Sequence, residues 1–174
     1  MENRLSDILK EGAVSLGLCK PWTEAWGDCD QQELIEKYKK GIRFCAQRNF
    51  PSPEFIEENF DKELLQLNGV YCNDKEVIQE DLNSTYILRG DSSITFTARP
   101  FTVKDINVCE NTVLHISAKA CSKVFIRIYD KCKVILDAST ASKVYIYVYS
   151  SEAIVSYDGR GQVIIRKGPK EDKE

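Results

Sequence analysis

Seven cysteines and one histidine have the widest chemical range of any residues in this 174-residue chain. Thiolates and imidazoles hold zinc when they recur at short spacings such as Cys-x-x-Cys. Here the thiols stand at Cys19, Cys29, Cys45, Cys72, Cys109, Cys121 and Cys132, no Cys-x-x-Cys pair occurs, and His115 is far from most of them. Neither a metal nor any other cofactor is expected, and most of the thiols read as small buried hydrophobes. A general base needs a nucleophile or an acid within reach, and no serine or cysteine motif supplies one for His115. Asp105, Asp130, Asp137 and Asp158 invite comparison with polysaccharide lyases and hydrolases, which gather carboxylates at defined separations. In this sequence they fall in different columns of the repeat set out below, mostly in turns. No catalytic residue is assigned, and the chain is read as non-enzymatic.

Two short motifs are read as structure. Arg89-Gly90-Asp91 spells an adhesion tripeptide but is placed as a turn entering the strand at Ile94. Asn83-Ser84-Thr85 matches a glycosylation acceptor, yet Met1-Glu2-Asn3-Arg4-Leu5-Ser6-Asp7 has neither the basic nor the apolar segment of a signal peptide. The protein is therefore expected in the cytoplasm, or assembled into a particle. No apolar run is long enough to cross a bilayer. A net charge of −3 with scattered Lys and Arg argues against a nucleic-acid partner, which requires a concentrated basic face.

The residues that must position any surface site fall into two regions. Residues 1–69 have helical periodicity. One helix is expected from Leu5 to Leu18, broken at Lys20-Pro21-Trp22. A second opens on Asp30 with Glu33 three residues on, a capping box, and carries the stripe Leu34, Tyr38, Ile42 and Cys45. A third is capped by Ser52 ahead of Pro53 and ends at Asn68-Gly69. Trp22 and Trp26 flank a loop and are expected to anchor it.

Over 70–168 the period changes, with 169–174 left as a charged tail. Val70-Tyr71-Cys72 and Val77-Ile78 read as short strands leading in. From Thr85 to Gly168, blocks of twenty residues align: Ile94, Leu114, Val134 and Ile154; Phe96, Ile116 and Leu136; Ala98, Ala118 and Ala138. The other half-block aligns Val124, Val144 and Ile164; Ile106, Ile126 and Ile146; Val108, Ile128 and Val148. Strands alternate faces, so these columns point one way, and repeats that cannot bury an apolar face alone are stabilised by stacking. The expected fold is α+β: a helical N-terminal region followed by a small single-chain β-solenoid, with two strands and about twenty residues per coil. The alternative is an antiparallel β-meander closed as a barrel or sandwich. The scarcity of Asn-Gly and Asp-Gly turns argues against it, since between Thr85 and Gly168 only Asp158-Gly159 occurs. The helical region is placed to cover the first coil or to pack along one side. Ser156 and Arg166 are read as replacing inward aliphatics, and so as a cap on the last.

Phe125 and Tyr145 share one outward column and Tyr129 and Tyr149 another, with Tyr147 beside them. This aromatic ladder is the candidate interaction surface, for a second copy of the chain, another protein or a glycan. The alternative is that the N-terminal helices pack on it, or that the rings only stabilise their cross-strand neighbours. His115 falls in an outward column with Thr95, Ile135 and Val155.

The layout resembles a group of short uncharacterised proteins of bacterial prophages and mobile elements. The resemblance is carried by the Trp22-to-Trp26 segment, Gly41-Ile42-Arg43-Phe44-Cys45, Phe50-Pro51-Ser52-Pro53-Glu54-Phe55-Ile56 and the Ser-Lys-Val-aromatic repeats. It implies a phage-related structural or accessory role and supplies no site.

Overall fold

The structure, a computed structural model, describes residues 4–169; the charged tail beyond Pro169 lies outside the described residues. The chain divides into two compact units, Met1–Gln66 and Leu67–Glu174.

The first unit holds six short helices: α1 (Arg4–Ser15), α2 (Lys20–Glu24), α3 (Gln31–Lys40), α4 (Ile42–Gln47), α5 (Pro53–Asn59) and α6 (Lys62–Leu67), the last running one residue past the boundary. The capping box is present: Asp30 Oδ1 accepts from the Glu33 amide at 2.8 Å, and Glu33 Oε2 accepts from the Asp30 amide at 3.0 Å. Ser52 Oγ accepts from the Phe55 amide at 3.2 Å and so starts α5. Two expectations are corrected. The first helix ends at Ser15, and Pro21 opens α2 near its N-terminus, where a missing amide costs nothing. The stripe through Tyr38 and Ile42 is not one helix, because the chain breaks at Gly41 and the residues buried in α3 are Leu34 and Ile35. Trp26 is an anchor: its indole Nε1 donates to the buried Ser6 Oγ at 3.0 Å.

The second unit is a β-solenoid of about five turns. One parallel sheet, A, contains β1 (Val70–Cys72), β3 (Thr85–Arg89), β5 (Val103–Val108), β7 (Lys123–Ile128), β9 (Lys143–Val148) and β11 (Gln162–Lys167). The other, B, contains β2 (Lys75–Ile78), β4 (Ser93–Ala98), β6 (Val113–Ala118), β8 (Lys133–Ala138) and β10 (Ile154–Gly159). Every pairing is parallel, joining strands one coil apart, so the meander is excluded. Val70–Cys72 and Lys75–Ile78 are the first coil itself and not a lead-in. The interior is the set of aliphatic columns. Ile94, Leu114 and Val134 are completely buried from sheet B, as are Val124, Ile126 and Ile146 from sheet A.

The turns repeat as strictly as the strands. Thr102, Ser122 and Ser142 each turn a hydroxyl back onto the carbonyl three residues earlier, at 2.7, 2.6 and 2.7 Å. The residue before each, Phe101, Cys121 and Ala141, is left-handed, with φ of 61°, 60° and 65°. The hydroxyl stands in for a backbone partner and holds the corner.

The last coil departs from the expected register. Val134 pairs with Val155 and Val144 with Val163, not with Ile154 and Ile164. One extra residue between Val148 and Val155 shifts the phase, and a connection two residues shorter, through Gly159 and Gly161, closes the coil. A Cβ on Gly159 would lie 2.1 Å from the Ala138 carbonyl oxygen, and one on Gly161 2.2 Å from Ser142 Oγ. Only glycine lets this turn lie so close on the coil below. Asp158-Gly159 is thus a solenoid corner and not a hairpin. Ser156 and Arg166 pair with the outward Ile135 and Tyr147, so they do not replace inward aliphatics. The inward positions of the last coil stay apolar except for Lys167, which pairs with Val148, and Tyr157 and Ile165 among them are 57% and 45% exposed.

Candidate functional site

The aromatic ladder lies on the outward face of sheet A. Its register pairs Phe125 with Tyr145, and Arg127 with Tyr147. The Phe125 and Tyr145 rings stack with centroids 5.2 Å apart and planes 16° apart. Tyr129 and Tyr149 stack at 4.8 Å and 14°. Both separations are close to the spacing of neighbouring strands, about 4.8 Å, so the repeat itself sets the stacking. Phe125, Tyr145, Tyr147 and Tyr149 are half-buried, whereas Tyr129 is buried.

Cations line the ladder. Lys123 and Lys143 are register neighbours of like charge. Lys123 Nζ lies 5.2 Å from the Phe125 centroid and 5.6 Å from that of Tyr145. Arg127 lies 5.9 Å from the Tyr147 centroid and forms an ion pair with Asp105 in the preceding coil. Such contacts contribute about 0.5–1 kcal/mol each at exposed sites.

The remaining candidates sort themselves by contact. Arg89 is fully buried and ion-paired to Glu110, and Gly90 N donates to the same carboxylate at 2.8 Å, so Arg89-Gly90-Asp91 is a corner of the solenoid. Asp130 Oδ2 accepts from Glu110 N at 3.0 Å. Asp137 and Asp158 are register neighbours on the outer face of sheet B, a pairing hidden by the phase shift. His115 is exposed on that face between Thr95 and Ile135, and Ser156, not Val155, follows in its column. No cluster of three or more His, Cys, Asp or Glu that could hold a metal occurs among the described residues. Among the described residues no helix is long and apolar enough to cross a membrane.

Two features escape a reading of the sequence. In sheet A, Lys104 occupies the inward column of Val124 and Val144. Its Nζ lies 2.5 Å from Asp81 Oδ1 and 2.6 Å from the Asn83 carbonyl oxygen. Tyr86 O–H donates to the same carboxylate at 3.0 Å, and burial pushes its phenol above the ordinary pKa. The Val column would flag position 104 as an outlier, but nothing local names Asp81 as its partner.

The second feature is a cavity of about 340 Å³ within the helical unit. Its floor includes the buried Leu9, Ala13, Trp26, Leu34, Ile56 and Leu65, contributed by four helices and the α2–α3 loop. Gly17, Cys19, Lys40 and Arg43 line it and are exposed, so it opens to the surface there. Trp22 leans over the break between α3 and α4, its ring 3.7 Å from where a Cβ on Gly41 would stand. Arg48 fixes one wall: its Nε donates to Leu16 O at 3.0 Å and its guanidinium lies 4.2 Å from the Phe44 centroid. The only advance signal was the Trp22/Trp26 pair four residues apart. No family model, curated protein or solved structure matches the chain.

Proposed function

We propose that this chain is a non-enzymatic protein-interaction module and that the aromatic band of sheet A is its contact surface, used between two copies of the chain. The carrying observation is a rigid, half-exposed strip of stacked rings flanked by Lys123 and by the Asp105–Arg127 pair. Aromatic side chains held by stacking lose little freedom on contact, which favours association. A strip bearing both charge signs is suited to the self-complementary contact of a two-fold dimer. The uncovered apolar positions of the last coil offer a further apolar area on the same unit. A phage-related structural or accessory role, implied by the resemblance of the helical segments and Ser-Lys-Val repeats, is compatible with such a module.

The test is solution mass. Light scattering after gel filtration of the full chain should give a dimer, and Tyr145→Ser with Tyr149→Ser should give a folded monomer. An unchanged mass and an unchanged partner pull-down in a folded double variant would remove this surface from consideration.

A further inference from the structure

We infer that the cavity of the helical unit is a binding site for a medium-chain amphipathic carboxylate, with its hydrocarbon on the apolar floor and its head group at the rim. Three observations carry this, none of which involves the aromatic band. First, size: about 340 Å³ lies within the range of small-molecule sites, ~300–1,000 Å³. At about 30 Å³ per atom, the share of one liquid water, that volume holds roughly eleven non-hydrogen atoms. The ten carbons of a ten-carbon acid therefore nearly fill it, with the two carboxylate oxygens left at the rim.

Second, lining: the floor is aliphatic and aromatic, with Trp26 and Phe44 beside Leu34 and Ile56. Close-packed interiors rarely leave voids larger than a water molecule. A void of this size forfeits dispersion contacts on every wall, and a hydrocarbon chain would restore them. Third, charge: Lys37, Lys40 and Arg43 line the cavity, and among the described residues no carboxylate does. This holds although the chain carries a net charge of −3. Lys40 and Arg43 are exposed, close to the break at Gly41 that separates α3 from α4. Both can meet a head group that stays in contact with solvent. Lys37 is half-buried, its Nζ 5.8 Å from the Trp26 centroid and donating to Ala25 O at 3.4 Å. An apolar floor with a cationic rim selects an anionic amphiphile over a neutral or cationic one of equal length.

The chain reports on this site directly, because both of its tryptophans, Trp22 and Trp26, line it. The experiment titrates the full chain with sodium decanoate, decanol or decyltrimethylammonium, below their micelle-forming concentrations, and reads tryptophan emission and calorimetric heat. Decanoate should give a saturable one-to-one change, decanol a weaker one, and the cation the weakest. Lys40→Glu with Arg43→Glu, both at exposed positions, should weaken decanoate by about tenfold, as expected for two reversed surface charges, and move decanol less than twofold. Ala13→Leu, which fills the floor, should abolish both, with folding checked by circular dichroism. Absence of saturable decanoate binding, equal affinity for the cation, or response only to anionic vesicles would each overturn the proposal.

Discussion

Lys104→Met turns a buried cation in the inward column of sheet A into a side chain of similar length and leaves Asp81 without its ion-pair partner. The Lys104 and Asp81 side chains are only 7% and 3% exposed, so solvent cannot compensate the stranded carboxylate. Removing one partner from a buried pair costs about 3–5 kcal/mol, far more than a surface pair contributes. Asp81 keeps the Tyr86 hydroxyl at 3.0 Å, which places the expected loss near the lower end, about 3 kcal/mol. Lys104→Met with Asp81→Asn removes both charges and retains an acceptor for Tyr86. That double variant should lie within about 1 kcal/mol of the parent, because the pair's attraction mostly offsets its own desolvation. Any cost of Asp81→Asn alone adds to the difference, so the two sites are then coupled by at least about 2 kcal/mol, which a double-mutant cycle measures. Urea unfolding followed by far-ultraviolet circular dichroism supplies the four free energies, repeated at about 1 M salt, where a buried pair is little screened. A single-variant loss under about 1 kcal/mol, or a double variant as unstable as the sum of the singles, would refute the buried pair as a structural unit.

Gly161→Ala must move backbone, since its Cβ would stand 2.2 Å from Ser142 Oγ and 2.7 Å from the Ser139 carbonyl oxygen. Overpacking of this kind costs about 1–3 kcal/mol; amide exchange should show protection lost in β10 and β11 and kept in β4 to β7, whereas uniform protection would contradict the closing-turn geometry. Burial pushes the Cys132 thiol from 9.0 up to about 12 and raises Cys109 well above its ordinary value. The folded state thus holds protons that the unfolded chain releases first, so this contribution is complete below pH 9 and is lost as pH climbs toward about 12. The urea midpoint should fall across that window, by less when Cys132 is replaced by alanine. In the folded protein a disulfide reagent should modify the exposed Cys19 and Cys121 and spare Cys109 and Cys132; rapid labelling of Cys132 would count against its burial.

The columns from Ile94 to Val148 could be read from the sequence because strict alternation gives each strand an unambiguous phase. In Val124-Phe125-Ile126-Arg127-Ile128 only one set of alternate positions is wholly aliphatic. The last coil lacks that property. Ile154-Val155 and Val163-Ile164-Ile165 are apolar at adjacent positions, so two registers bury equally apolar side chains, and the even spacing of ten favours the wrong one. What decides is the turn, where Gly159 and Gly161 allow a contact on Ala138 and Ser142 that no other residue tolerates. In the helical unit the capping box and the Ser52 cap were legible because each is local. The cavity was not, because its floor is assembled from four helices and a loop, and no one stripe contains it.

Stacking alone says little about use of the aromatic band, since placing an aromatic at the same position of successive coils stacks the rings automatically. Orientation says more. Phe125 and Tyr145 turn their faces to each other, as do Tyr129 and Tyr149. The outer neighbours of the first pair are Asp105 on one side and Ile164 on the other. The faces of these two pairs are thus directed along the solenoid axis, and what they present outward is ring edge. A sugar ring stacks on an aromatic face, and this surface presents edges. Ring edges carry partial positive charge and phenols both donate and accept. Backbone carbonyls and the faces of other aromatics are complementary to that pattern, and both are abundant on a protein surface. The geometry therefore weights a protein partner over a glycan, and among proteins it suits one that brings the same edges and the same Asp105–Arg127 pair in reversed order.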